Sequence, residues 1–189
     1  MIELPKIILA SASPRRAEIL RTIGWPFDTL AVHIDESRRQ DEDAVTYVQR
    51  LAREKAETAA ARTVGLNVVG ADTTVVIDDQ ILEKPLDTHD ARRMLRMLSS
   101  RWHKVLTGIA VVDRKSGETR VACQETEVKF AAMNEDDIEW YVAGGEPMDK
   151  AGAYAIQGEG ARFVEGIRGD YFNVVGLPLR LLYELFVEP

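Results

Sequence analysis

The chain has 189 residues, of which 46% are hydrophobic, and its 31 acidic and 24 basic side chains leave a formal net charge of −7. That length suits one domain, or two small lobes sharing a core, and the apolar content excludes a disordered chain. The acidic balance disfavours duplex nucleic acid as a partner, and no apolar run approaches the roughly 18 residues of a membrane span.

A small phosphorylated substrate is compatible with this charge only where arginine and lysine are concentrated locally. The opening Met1-Ile2-Glu3-Leu4-Pro5-Lys6 lacks the regions of a signal peptide, so a cytoplasmic location is expected. The single cysteine, Cys123, excludes a disulfide framework and is expected to be a buried thiol in a strand.

Lys6-Ile7-Ile8-Leu9-Ala10 reads as a buried strand. It runs into Ser11-Ala12-Ser13-Pro14, where Ser13 suits a helix N-cap and Pro14 the first helical position; Gly24 ends that helix. A strand is predicted over residues 27–34. A long helix follows over residues 44–63, with Val48, Leu51, Ala52, Ala56 and Ala59 as its apolar stripe. The β-branched segment from Asn67 to Ile77 turns at Asp78-Asp79-Gln80 and is completed as a hairpin by Ile81-Leu82-Glu83. A short amphipathic helix capped by Thr88 comes next, then two long strands over residues 102–113 and 119–130. Asn134 caps a further helix, ended by Gly144-Gly145, and the glycine-rich stretch 146–176 reads as loops with short strands. Pro178 opens a final helix. The mixture of βα units and hairpins predicts an α/β fold around a mixed sheet, with a cleft between two lobes.

Three features suggest chemistry. Arg15 and Arg16 sit in the first turn of a helix, where the exposed N–H groups already carry partial positive charge. Either both are solvated, or an anion relieves the conflict, met by the amides, Ser11, Ser13 and the guanidinium groups. Lys55 falls on the apolar face of the long helix, and it either snorkels to solvent or faces a ligand or carboxylate. Asp72, in Gly70-Ala71-Asp72-Thr73, interrupts a strand with an acid that is costly to bury unless it is paired or bound to a metal; placement at a turn or edge is the other reading. Glu36 and Lys84 are each expected at a strand end beside a loop. His33, His89 and His103 lack metal-ligand spacing and read as structural or surface residues. Arg120, Arg162 and Arg168 read as surface residues.

With these residues in place, the chain resembles the Maf family of nucleoside triphosphate pyrophosphatases along nearly its whole length. The resemblance rests on Leu9-Ala10-Ser11-Ala12-Ser13-Pro14-Arg15-Arg16, Leu51-Ala52-Arg53-Glu54-Lys55-Ala56, Gly70-Ala71-Asp72-Thr73, Glu83-Lys84-Pro85 and Thr107-Gly108. It continues through Gly145-Glu146-Pro147-Met148-Asp149-Lys150-Ala151-Gly152-Ala153-Tyr154-Ala155-Ile156-Gln157-Gly158 and closes at Asn173-Val174-Val175-Gly176-Leu177-Pro178. It implies one domain over residues 1–189, built as an elongated mixed β-sheet flanked by helices, with two lobes and a central cleft, as in inosine triphosphate pyrophosphatases. It also implies a homodimer and a divalent cation, Mg²⁺ or Mn²⁺. By the same resemblance Asp72 is the general base, Ser11, Arg16, Lys55 and Lys84 surround the phosphates, and Glu36 with Asp72 holds the metal. Arg15, Thr73 and Gln157 resemble the branch that hydrolyses dTTP and UTP. Gln157 offers a donor and an acceptor that can match the imide edge of uracil or thymine. A nucleotide-binding regulator of cell division with little catalysis, and a purine-preferring pyrophosphatase, are the alternative expectations.

Overall fold

Ile7–Leu9 forms strand β1, and it is buried because it lies between two parallel neighbours. The computed structural model that shows this describes residues 4–187; Met1-Ile2-Glu3, where the stretch expected to lack a signal peptide begins, lies outside the described residues. On one side β1 pairs with β2 (Phe27–Thr29) and on the other with β3 (Asn67–Ile77), with Leu9 opposite Thr29 and Val69. A parallel strand covered on both faces needs the continuous apolar run that Ile7-Ile8-Leu9 supplies. Among the described residues seven strands form one mixed sheet. Its order is β2-β1-β3-β5-β6-β7, with β4 (Gln80–Leu82) paired antiparallel to the far end of β3. Two further long strands are β5 (Trp102–Val112) and β6 (Thr119–Phe130), and β6 pairs antiparallel with β7 (Val164–Arg168).

The described chain divides into two compact units. The first comprises the residues up to Asp72, Thr107–Gln124 and those from Gly176 on; the second comprises Thr73–Leu106 and Glu125–Val175. In the first, helix α1 (Pro14–Thr22) follows β1, and helix α2 (Ala44–Ala60) lies across the strands. Asp43 caps α2 by accepting from Thr46 N at 2.7 Å. Ala52, Ala56, Ala59 and Ala60 pack with Ile8, Ala10, Val68, Ala110 and Val112 in one core. Alanines on the helix and glycines on the strands, Gly70 and Gly108, bring the two backbones close. The final helix, α6 (Leu179–Val187), stacks Phe186 edge-on against Trp25.

In the second unit, helix α3 (Thr88–Leu98) and helix α4 (Glu135–Ala143) share a core with Val75, Leu82, Val128, Phe130 and Phe163. Arg92 pairs with Glu139 at 2.6 Å and Arg96 with Glu135 at 2.7 Å across the two helices. Asn134 and Asp137 form a reciprocal capping box at the start of α4. The β3–β4 turn places Asp78 and Asp79 at φ 49° and 59°, the left-handed pair that a tight hairpin requires.

Several sequence expectations are corrected here. The strand expected over 27–34 stops at Thr29, because β1 ends at Leu9 and offers no further ladder beyond Leu30 N to Leu9 O. The helix expected to reach residue 63 ends at Ala60, where its apolar stripe runs out before Gly65. Asp87, not Thr88, caps α3, accepting from Asp90 N at 2.8 Å. Ser13 occupies the N-cap of α1 but makes no side-chain cap. Cys123 lies in β6 but is only partly buried. The stretch 146–163 forms three 3-10 turns, Glu146–Asp149, Ala151–Ala153 and Glu159–Phe163, and a short helix α5 (Tyr171–Val175) follows β7. No helix among the described residues is long and apolar enough to cross a membrane.

Candidate functional site

Asp72 stands at the middle of β3, which has β1 on one side and β5 on the other, so neither a turn nor a sheet edge accounts for it. Its carboxylate accepts from Lys55 Nζ at 2.7 Å, and the same ammonium lies 2.7 Å from Glu36 Oε1. Lys55 therefore does not snorkel away. It reaches from the apolar face of α2 to two carboxylates, one largely buried and one with 53% of its side chain exposed. Burial, the dominant influence, pushes the Asp72 carboxyl above the ordinary aspartate value, while the charges of Lys55 and Arg16 pull the other way. A carboxylate of raised basicity, held in place by a lysine, is suited to accept a proton.

Glu36 is not at a strand end, contrary to the sequence expectation. It lies in an irregular segment between β2 and α2, and α2 itself fixes that segment. Tyr47 Oη donates to Glu36 O at 2.9 Å and Arg50 Nη2 to Ser37 O at 3.0 Å. Arg50 also grips the buried Glu42 carboxylate at 2.6 and 2.9 Å. That carboxylate accepts from Arg39 N at 3.2 Å.

Just before α1, Ser11 braces the N-cap residue Ser13 and the side chain of Arg16 without capping the helix. Its Oγ accepts from Ser13 N and from Arg16 Nη1, both at 3.1 Å, so its own proton remains to be donated elsewhere. Arg16 Nε donates to Gly176 O at 2.7 Å, which orients the guanidinium. Burial lowers the Arg16 pKa from its ordinary value against the raising influence of Asp72, yet a guanidinium remains charged. Arg15 precedes it on the same turn and is partly exposed, and no acid lies in the first turn to balance the two. The first unit thus gathers Ser11, Arg16, Glu36, Lys55 and Asp72, with Arg15 beside Arg16.

The remaining candidates belong to the second unit. Thr73 follows Asp72 along β3 and is partly buried. Lys84 is exposed two residues after β4, next to Glu83, whose carbonyl accepts from Gly152 N at 3.1 Å. Gln157 is exposed in the segment between two 3-10 turns. Arg162 and Arg168 are exposed and lie over Trp140 and Trp102 at 4.0 and 4.1 Å from the ring centroids, and Arg120 is partly buried. His33 and His89 are exposed, and His103 is buried with Nε2 2.8 Å from Tyr154 Oη.

Sequence reasoning passed over two networks. Glu42 sits in the acidic run Asp41-Glu42-Asp43, which carries no sequence expectation above, and the fold leaves its side chain 4% exposed against Arg50. In the sequence, Glu146 stands out only as part of the Gly145–Gly158 stretch. Its carboxylate accepts from Tyr141 Oη at 2.6 Å and from Glu159 N and Gly160 N, each at 3.1 Å. The spacing of Gly158 and Gly160 behind an acidic residue was the available signal.

No cluster of three or more potential His, Cys, Asp or Glu ligands occurs among the described residues. A donor set of two carboxylates, Glu36 and Asp72, still suits a hard divalent cation, since Mg²⁺ commonly takes one or two protein carboxylates and completes its shell with water and phosphate oxygens.

Comparison with known proteins agrees with this picture. A family model described as Maf-like protein matches residues 6–188. Proteins named dTTP/UTP pyrophosphatase are 49% identical in Syntrophus aciditrophicus (strain SB), covering 95% of this chain and 87% of that protein, and 50% identical in Moorella thermoacetica, covering 96% and 94%. One from Salmonella typhimurium is 49% identical, covering 95% of this chain and 90% of its own. Among solved structures, the Staphylococcus aureus Ham1 protein superposes with a TM-score of 0.53 at 14% identity, covering 96% of this chain and 97% of that one; it shares the fold.

Proposed function

Because the chain belongs to the Maf-like protein family, we propose that it is a nucleoside triphosphate pyrophosphatase that hydrolyses dTTP and UTP to the nucleoside monophosphate and pyrophosphate. Relatives at about half identity bear that activity in their names, and what carries the reading on this chain is Asp72. It is a mid-strand carboxylate held by Lys55, with its proton affinity raised by burial.

Asp72 takes a proton from a water molecule as that water attacks the α-phosphorus. The bond from the α-phosphorus to the bridging oxygen of the β-phosphate breaks, and pyrophosphate leaves. Ser11, Arg16, Lys55 and Lys84 meet the charge of the phosphates, so that positioning and electrostatics supply most of the catalysis. Glu36 and Asp72 are the residues that would hold Mg²⁺ or Mn²⁺. Such a cation, when bound, neutralises phosphate charge and lowers the pKa of coordinated water. Arg15, Thr73 and Gln157 are assigned to recognition of the base, with the Gln157 amide matching the donor and acceptor of the uracil or thymine imide. We further propose that the protein works as a cytoplasmic homodimer of one two-lobed domain.

Asp72→Asn tests the reading. It keeps the shape and the bond from Lys55 but removes the base, so pyrophosphate release should be abolished while UTP binding measured by calorimetry persists. Normal turnover by this variant would remove Asp72 from the mechanism. A panel of pyrimidine and purine triphosphates tests the base preference, and light scattering tests the dimer.

A further inference from the structure

The segment that carries Gln157 is held by a clasp at both of its flanks. The two oxygens of the Glu146 carboxylate take the backbone N–H groups of Glu159 and Gly160, each at 3.1 Å. One of them also accepts the Tyr141 hydroxyl proton at 2.6 Å. Tyr141 is fully buried, and its oxygen in turn accepts from Ala155 N at 3.1 Å. Ala155, Glu159 and Gly160 are thereby fixed, while Ile156, Gln157 and Gly158 span the gap between them with Gln157 exposed. Burial alone would raise the Glu146 carboxyl pKa, but the three donors hold it below its ordinary value.

Two glycines make the clasp possible. A Cβ on Gly158 would stand 1.7 Å from Glu146 Oε1, and one on Gly160 would stand 2.5 Å from the Tyr141 oxygen. Gly158 has φ −117°, where other residues are comfortable, so space rather than conformation demands glycine there. Every donor that the carboxylate meets is satisfied by an acceptor-only group; a glutamine would turn an NH₂ toward at least one of them.

We propose that Glu146, backed by Tyr141, is a positioning residue for base selection: it sets the backbone on which Gln157 is presented to the nucleobase. This rests on the reading of the chain as a dTTP/UTP pyrophosphatase whose Gln157 contacts the base. Glu146 touches no substrate, and its effect passes through the bonds it accepts at residues 159 and 160. A segment free to sample other conformations presents its amide in the right place for a fraction of the time, which raises the apparent dissociation constant in proportion.

The test uses the full chain with Mg²⁺, following pyrophosphate release from UTP, dTTP, CTP and GTP by wild type and by E146Q, Gly158→Ala, Gln157→Ala and E146Q combined with Gln157→Ala. E146Q and Gly158→Ala should each reduce the preference for UTP over CTP in kcat/KM by about 10-fold or more, chiefly through a higher KM for UTP. Gln157→Ala should reduce the same ratio, and adding it to E146Q should change little further, since both act on one contact. Amide hydrogen exchange at residues 155–160 should accelerate in E146Q and Gly158→Ala. The inference is overturned if E146Q or Gly158→Ala keeps the wild-type base preference while Gln157→Ala loses it, or if the two effects are additive. A loss of folding in E146Q leaves Gly158→Ala to decide, since its added methyl meets a movable side-chain end. Absence of base preference in the wild type, or its persistence in Gln157→Ala, overturns instead the assignment of Gln157 on which the inference stands.

Discussion

A Cβ on Gly70 would lie 2.1 Å from the carbonyl oxygen of Ala52. The strand that carries Asp72 and the helix that carries Lys55 are thus in backbone contact two residues before the acid. The same closeness recurs at Gly108, 2.3 Å from Val48 O. The obstacle at Gly70 is backbone, which cannot swing aside, so Gly70→Ala should destabilise the protein by about 3 kcal/mol and displace Lys55 from Asp72. Gly117→Ala is the control: it sits at φ +75° in open space and should cost only about 1 kcal/mol. Urea denaturation and pyrophosphate release, measured on both, separate the two outcomes; equal stability losses would contradict the close packing.

Lys55→Met keeps the aliphatic bulk on α2 but removes the charge shared by Glu36 and Asp72. The two acids would then lose the ammonium they share, and on the proposed reading phosphate would lose one of its partners. A fall in kcat/KM of about 100-fold or more is expected. Steady-state rates with UTP check it, and circular dichroism establishes that the variant is folded; activity within threefold of wild type would show that Lys55 serves packing alone.

His103 is buried against Phe130 and Tyr154, and burial pushes its pKa down from the ordinary 6.5 to about 3. Its folded value lies below its unfolded value, so between these two pH values the unfolded chain binds a proton that the native protein does not. Stability from this group is level above pH 6.5. It falls as the pH drops below that, by about 2 kcal/mol near pH 5. Denaturation midpoints across this range should slope downward in wild type and less steeply in His103→Phe. Identical slopes would mean the imidazole is already solvated.

The buried pair of Glu42 and Arg50 predicts a second, lower window. Hydrogen bonding from Arg50, foremost, holds the Glu42 carboxyl down from 4.5 to about 2. The pair's stabilisation is complete above the first of these values and is lost as the pH falls toward the second. Arg50→Met strands a buried carboxylate and should cost about 3 kcal/mol or more at neutral pH. Glu42→Gln combined with Arg50→Met should recover part of that loss. A single variant as stable as wild type would show that Glu42 finds water instead.

The core of the fold was legible in the sequence because its signals are local. The apolar run at Ile7–Leu9, the stripe on α2, the β-branched β3 and the Asn134 cap each announce their element in a few residues. Boundaries that depend on a partner were not legible. β2 stops where β1 stops, 20 residues earlier in the chain, and nothing within residues 27–34 reports that. Lys55 and Asp72 were conspicuous because each breaks a pattern, the one an apolar face and the other a strand. Glu42 and Glu146 broke none. They sit among polar neighbours, and their importance comes from donors that folding brings to them, Arg50 in one case and two amides after Gly158 in the other.

The bond from Arg16 to the carbonyl of Gly176 spans 160 positions of sequence. Synthesis delivers the arginine well before its anchor, so a chain that stops short of residue 176 has the cation without the group that aims it. On the proposed reading, the ordered grip of Arg16 on phosphate is therefore withheld until Gly176 has been made. Shortened products from this gene should be inert toward the cell's triphosphate pool rather than merely less stable.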